Sequence, residues 1–180
     1  MLTKIRHYVN KNTLRSIYYG IFSSILTYGC QIWGQIQNKY VNRVIKLQDK
    51  AIRIINFAHF NASTKRLYYN SKNLKFSDNI KLLNFAYVHN SLKGNLPSVL
   101  TNNFIFSKKV HNYNTRGSSL NKIMIPKAKT KVYGLKSINY ESSITWNNMV
   151  SYFGDLNLLM KTKFYCKKLI TQHLLDKDTI

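Results

Sequence analysis

With 180 residues, 44% of them hydrophobic, the chain has the size of one domain and enough apolar content for a real core, which excludes a disordered tail. Lysine and arginine number 28 against 6 acids, a formal charge of +22, so the protein repels itself and seeks a polyanion. A lysine- and asparagine-rich composition explains many of the cations but not the lack of acids, of which Glu141 is the single glutamate. The deficit points to a nucleic acid, or else an anionic membrane surface, and nucleic acid fits the balance better.

The N-terminus, MLTKIRHYVNKNTLR, is polar and basic and does not read as a secretory signal. The most apolar segment follows, Leu14 to Trp33, with Thr13 placed to cap it. Its apolar run from Ile17 to Trp33 is shorter than the ~20 residues a bilayer needs. It is also broken by two serines, a threonine, a glutamine and two glycines. A buried helix of a soluble core is expected there, and a membrane partner is not.

A short connector, Gly34 to Asn38, leads into Lys39 to Phe57, which carries two stripes. Val41, Ile45, Gln48, Ile52 and Ile55 alternate spacings of four and three and fall on one helical face. Lys39, Arg43, Lys46, Lys50 and Arg53 follow the same alternation on the opposite side. One helix thus packs on one face and offers a basic ridge on the other. A solvated charged face is the plain alternative, but an ordinary surface helix interleaves acids for i,i+4 pairs, and here only Asp49 lies near the ridge.

Beyond a polar loop, Ser77 has the chemistry of an N-cap for a well-buried helix over Asp78 to Leu92, which Gly94 and Pro97 then end. From Phe104 to Ser137 the helical period fades. Two short basic strands are expected, Lys122 to Ile125 and Lys129 to Leu135, around Pro126, after the turn-rich loop HNYNTRGSSL. Helix returns over Ile138 to Met149 and Leu156 to Leu175. The expected fold is mainly α, a helical bundle with a small basic β element in the second half. It divides into a helical region 1–100, a loop and strands 101–137, and a C-terminal helical region 138–180.

Candidate chemistry is sparse. A two-metal nucleotidyl transferase needs two or three convergent carboxylates, whereas Asp49, Asp78, Glu141, Asp155, Asp176 and Asp178 are scattered. None of the seven glycines builds a phosphate loop. Cys30 and Cys166 form neither a disulfide framework nor a zinc pattern and read as buried thiols in a reducing, intracellular setting, cytoplasm or nucleus. His111, Tyr113 and Arg116 make the one polar cluster with an aromatic in a loop, open to a loop-anchoring role or to phosphate and base contact.

Four elements in order resemble the C-terminal part, thumb and post-palm, of a non-LTR (LINE-type, jockey-like) retrotransposon reverse transcriptase. The first is LRSIYYGIFSSILTYGCQIWG, with Leu14, Tyr18, Ser24, Tyr28, Gly29, Trp33 and Gly34. LQDKAIRII follows at Leu47 to Ile55, then HNYNTRG at His111 to Gly117, which is similar to an H-x-Y-x-T-R element, and Trp146-Asn147. Where the family often continues with Leu-Pro, this chain has Asn148, Met149 and Val150.

The resemblance implies a thumb-like helical region that holds primer and template, with RNA and DNA as backbone-contacted partners and the polymerase palm as a further one. It also implies RNA-directed DNA polymerase as the parent activity, with Mg2+ belonging to the palm. No Y-A-D-D-type motif occurs in these residues, so no cofactor and no catalytic residue are expected in this chain. It reads as a fragment or truncated element copy, inactive alone, with no small-molecule substrate. The other reading is a non-catalytic nucleic-acid-binding or scaffold protein derived from such an element.

Overall fold

The computed structural model describes residues 2–35, 38–110, 121–131, 133–154, 158 and 161–177. Among them the architecture is helical: α1 (Leu2–Ile5), α2 (Lys11–Ile17), a π-helical turn (Tyr18–Ser23), α3 (Ser24–Thr27), α4 (Cys30–Trp33), α5 (Asn38–Ile55) and α6 (Thr64–Ser71) come first. Then follow α7 (Phe76–Leu92), α8 (Ser98–Thr101), a 3-10 turn (Ser107–Lys109), α9 (Ile138–Tyr152) and α10 (Lys163–Lys177). The mainly α class expected from periodicity is the observed one. Two compact units divide the chain, Met1–Ile80 with Gln172–Ile180 and Lys81–Thr171, and the divisions fall inside α7 and α10.

In the first unit the core gathers Leu14, Tyr18, Ala51, Ile52, Ile55 and Tyr68, with Leu2, Ile5, Val9, Phe22 and Leu67 packed around them. The apolar stripe of α5 supplies much of this, as its four-and-three spacing requires. Gln48, in the same stripe, is buried, and its amide is fully used. Its Nε2 donates to the Tyr18 hydroxyl at 3.1 Å and to the Leu74 carbonyl at 3.0 Å. Its Oε1 accepts the Phe76 amide at 2.8 Å. A buried amide is tolerated only when paired in this way. The Phe76 bond also explains why α7 begins two residues before the expected Asp78: a first-turn N–H finds its acceptor on α5 rather than on Ser77.

The segment Leu14 to Trp33 differs from the single buried helix expected of it. A π turn interrupts it, and Gly29, at φ 61°, breaks it again ahead of α4, a conformation that costs glycine little. Leu14, Tyr18 and Cys30 are buried, but Ile25 is 69% and Ile32 75% exposed. Its N-terminal cap is Asn10, whose Oδ1 accepts the Thr13 amide at 2.9 Å; Thr13 lies inside α2. Near its end Trp33 stacks on Phe76 with ring centroids 5.0 Å apart. A methyl group on Gly34 would stand 2.5 Å from Ile80 Cδ1 and 2.4 Å from the Cys30 carbonyl oxygen.

In the second unit Phe85 of α7 stacks on Trp146 of α9 at 4.8 Å, with His89 beside both rings. Ser137 caps α9 by accepting the Tyr140 amide at 3.3 Å. Gly94, at φ 70°, follows α7 as the sequence anticipates. The expected β element does not form among the described residues. One antiparallel bridge, Phe106 with Ile123, is all that Lys122 to Ile125 makes. The other edge of Ile123 is taken by a side chain, described below, and Pro126 offers no donor to extend a ladder. Around 129–135 the described residues are turns, closed by the Gly134 and Leu135 amides donating to the Thr130 carbonyl at 3.2 and 3.1 Å. The C-terminal helix begins at Lys163, later than the expected Leu156, and runs to Lys177.

Candidate nucleic-acid interface

The ridge of α5 separates into two kinds of residue. Lys39, Arg43, Lys46 and Lys50 are exposed, and no carboxylate pairs with any of them among the described residues. Arg53 is half-buried, and its Nε–H donates to the Ala62 carbonyl at 2.8 Å, so its guanidinium anchors the loop after α5. The one acid in this helix is turned to other use: the Tyr68 hydroxyl of α6 donates to Asp49 Oδ1 at 2.9 Å. Burial first, and the Asp49 charge next, hold the Tyr68 phenol well above its ordinary range, so it stays a neutral donor. Asp49 Oδ1 therefore accepts within the unit, and the carboxylate forms no ion pair with a ridge cation.

From Lys39 to Arg53 the ridge spans ~21 Å at 1.5 Å per residue. A duplex presents one phosphate charge per ~1.7 Å of axis, so about a dozen phosphates lie alongside that length. Four solvated cations on a straight rod can displace condensed counterions from such a surface without reading any base. The opposite face of α5 is fixed by Ile52, Ile55 and the three Gln48 hydrogen bonds, so the ridge is held rather than tethered.

Beside the ridge an apolar groove of about 280 Å³ runs between α5 and the π turn, lined by Leu2, Ile17, Ile21, Phe22, Leu47 and Ile54 among others. Lys50 belongs to both ridge and groove lip. Leu47, exposed between them, extends the apolar surface toward the cations.

Of the other candidates, His111, Tyr113 and Arg116 lie outside the described residues. Trp146 and Asn147 are described, and their work is structural. The Asn147 amide clasps Ile123 in both directions: Oδ1 accepts the Ile123 N–H at 2.9 Å, and Nδ2 donates to the Ile123 carbonyl at 2.9 Å. Next to it Trp146 Nε1 donates to the Asn121 carbonyl at 3.2 Å. The pair fastens an extended segment onto α9, with the 105–107 strip on its other side through Met124 N to Ile105 O at 2.8 Å and Ser107 N to Lys122 O at 2.9 Å.

The buried His89 sits with Nε2 3.3 Å from the Lys161 carbonyl, an acceptor only, so Nε2 carries a proton. Burial, then the nearby Lys93, pull its pKa below the ordinary 6.5. Burial raises both thiols, Cys30 and Cys166, above the ordinary range, which favours their protonated form. Among the described residues no group of three or more His, Cys, Asp or Glu side chains stands close enough to hold a metal ion, and Asp155 and Asp178 lie outside them. No helix among the described residues is long and apolar enough to cross a membrane.

Two features escaped the sequence. Gln48 counts there as a member of the apolar stripe, since its three partners lie on segments 26 to 30 residues away. Arg53 counts as a ridge cation, because nothing in the spacing marks the Ala62 carbonyl as its acceptor. Comparison of the chain with protein-family models, curated proteins and solved structures finds no match.

Proposed function

We propose that this chain is a thumb and post-palm piece of a non-LTR retrotransposon reverse transcriptase, and that α5 holds a nucleic-acid duplex by its phosphates. The observation that carries the binding half is the run of four exposed cations, Lys39, Arg43, Lys46 and Lys50, unpaired by any described carboxylate on a helix whose other face is pinned. The order of the four sequence elements supports the family half. In this reading the chain positions primer and template and contributes no catalytic carboxylate; any polymerase chemistry, with its Mg2+, belongs to a palm.

Binding of a 15-base-pair RNA–DNA hybrid, followed by fluorescence anisotropy over a range of KCl concentrations, tests the first half. Affinity should fall linearly on a log–log plot with a slope of about −2.8 to −3.6, from about 0.7 to 0.9 per neutralised phosphate and four contacts. A salt-insensitive or absent interaction would remove the duplex role. The family half is tested on the genome: an in-frame or decayed palm with paired aspartates should lie upstream of the coding sequence, and unrelated coding there would sink it.

A further inference from the structure

At the start of α10 the exposed surface combines rings and cations in a way the duplex ridge does not. Phe164 is 80% exposed, and the neighbouring Tyr165 is exposed too. On a helix the residues three and four ahead are surface neighbours, so Lys167 and Lys168 share the face of Phe164. Lys163 precedes it, and Lys161 places Nζ 5.5 Å from the Tyr165 ring centroid. Lys161 is itself held in place, since its carbonyl accepts from Lys93 Nζ at 2.8 Å. Lys163, Lys167 and Lys168 have no carboxylate partner among the described residues.

We infer that this surface binds single-stranded nucleic acid, with the Phe164 ring stacking on an unpaired base while Lys163, Lys167 and Lys168 meet the flanking phosphates. Charge complementarity selects a polyanion, and the free ring face selects one whose bases are open, because a duplex hides its base faces in its own stack. A ridge of cations alone, as on α5, has no means to make that distinction. The inference concerns residues apart from the ridge and does not rest on the duplex reading.

The test uses the whole chain and four fluorescein-labelled probes: dT15, rU15, an abasic strand of the same length and charge, and the 15-base-pair hybrid. The wild-type protein should bind dT15 or rU15 about tenfold more tightly than the abasic strand, the two base-bearing probes telling which sugar is preferred. Phe164→Ala should abolish that difference while leaving the salt slope and hybrid binding unchanged. Phe164→Trp should retain it, and since the ring is exposed, neither variant disturbs a core. Lys163→Gln with Lys168→Gln should instead lower binding of dT15 and the abasic strand alike, with a shallower salt slope. Equal binding of base-bearing and abasic strands by the wild-type protein overturns the inference, as does full dT15 affinity in Phe164→Ala. So does a Phe164-dependent affinity for phosphatidylserine vesicles with no preference for bases.

Discussion

Neutralising Arg43, Lys46 and Lys50 together as glutamine isolates the ridge from everything else the chain does. The three side chains are exposed and carry no partner among the described residues, so no hydrogen bond or ion pair is lost there with them. Glutamine has nearly the helix propensity of lysine and arginine. Each phosphate contact contributes about 0.9 to the slope of log K against log salt on B-DNA, so three contribute about 2.7. Referred to 1 M, that loss weakens binding at 0.1 M on the order of 500-fold, and across a fourfold salt range it changes the ratio of the two affinities roughly 40-fold. Anisotropy titrations on one duplex at several KCl concentrations measure both numbers, and the far-ultraviolet circular dichroism and urea midpoint should hold or rise slightly as self-repulsion falls. An unchanged slope in the triple variant would refute the reasoning even if absolute affinity drops, because counterion release is the step that ties these side chains to phosphate. Arg53 is left out of the set on purpose: its bond to the Ala62 carbonyl makes Arg53→Gln a stability variant, costing about 1 kcal/mol.

Gln48→Leu keeps the volume of the side chain but leaves the Leu74 carbonyl, the Phe76 amide and the Tyr18 hydroxyl without their partner, for a loss of about 3 kcal/mol by urea unfolding. Asn147→Ala removes both bonds to Ile123 and should cost about 2 kcal/mol, with hydrogen exchange at the Ile123 amide accelerating more than at the Ser107 amide; uniform acceleration would deny the clasp. His89 has a depressed folded-state pKa, so its unfolded form takes a proton first as pH falls. Its full contribution to stability is present above about pH 6.5 and is lost as pH drops through the lower folded value. The urea midpoint of the wild type should therefore decline between pH 7 and pH 5 more steeply than that of His89→Gln, and parallel curves would deny the buried neutral ring.

What could be read from the sequence follows how many constraints each segment carried. Lys39 to Phe57 has five positions fixed on each of two opposite faces, and α5 lies over Asn38–Ile55 with the same faces in and out. Phe76–Leu92 is nearly as clear, because its apolar residues leave little polar face and a glycine follows. Leu14 to Trp33 carried only composition. Apolar content says that residues resist water, but it does not say that they find a partner, and Ile25 and Ile32 remain exposed. Nor does it mark the backbone breaks, which depend on a positive φ at Gly29 and a widened turn after Ile17. The basic strands failed for a related reason: Lys122 to Ile125 has an apolar, strand-compatible composition, but a strand is defined by its neighbours. One neighbour is a short strip at 105–107, and the other is the side chain of Asn147. On the ridge, four of five cations stand as the pattern places them, and the fifth was drawn inward by an acceptor nine residues away.

The residues that carry the family resemblance and those that carry the binding proposal are therefore mostly different. Leu14 and Tyr18 sit in the core, Gly29 adopts a left-handed turn, Trp33 stacks on Phe76, and Gly34 has no room for a methyl group. Trp146 and Asn147 fasten the segment at 121–123. These are architectural tasks, and none of them brings a side chain to a phosphate. The four exposed cations of α5, Lys39, Arg43, Lys46 and Lys50, are different: they satisfy no described acid and add self-repulsion to a chain already at +22. The polyanion proposed as partner would offset the self-repulsion that this arrangement adds. Because α5 is fixed by Gln48 and its apolar stripe before any ligand arrives, little of the backbone ordering that a flexible basic tail must undergo remains to be done on binding. The ridge should then keep its affinity in a chain whose loops are rearranged, and lose it when Gln48 is replaced and α5 is no longer held.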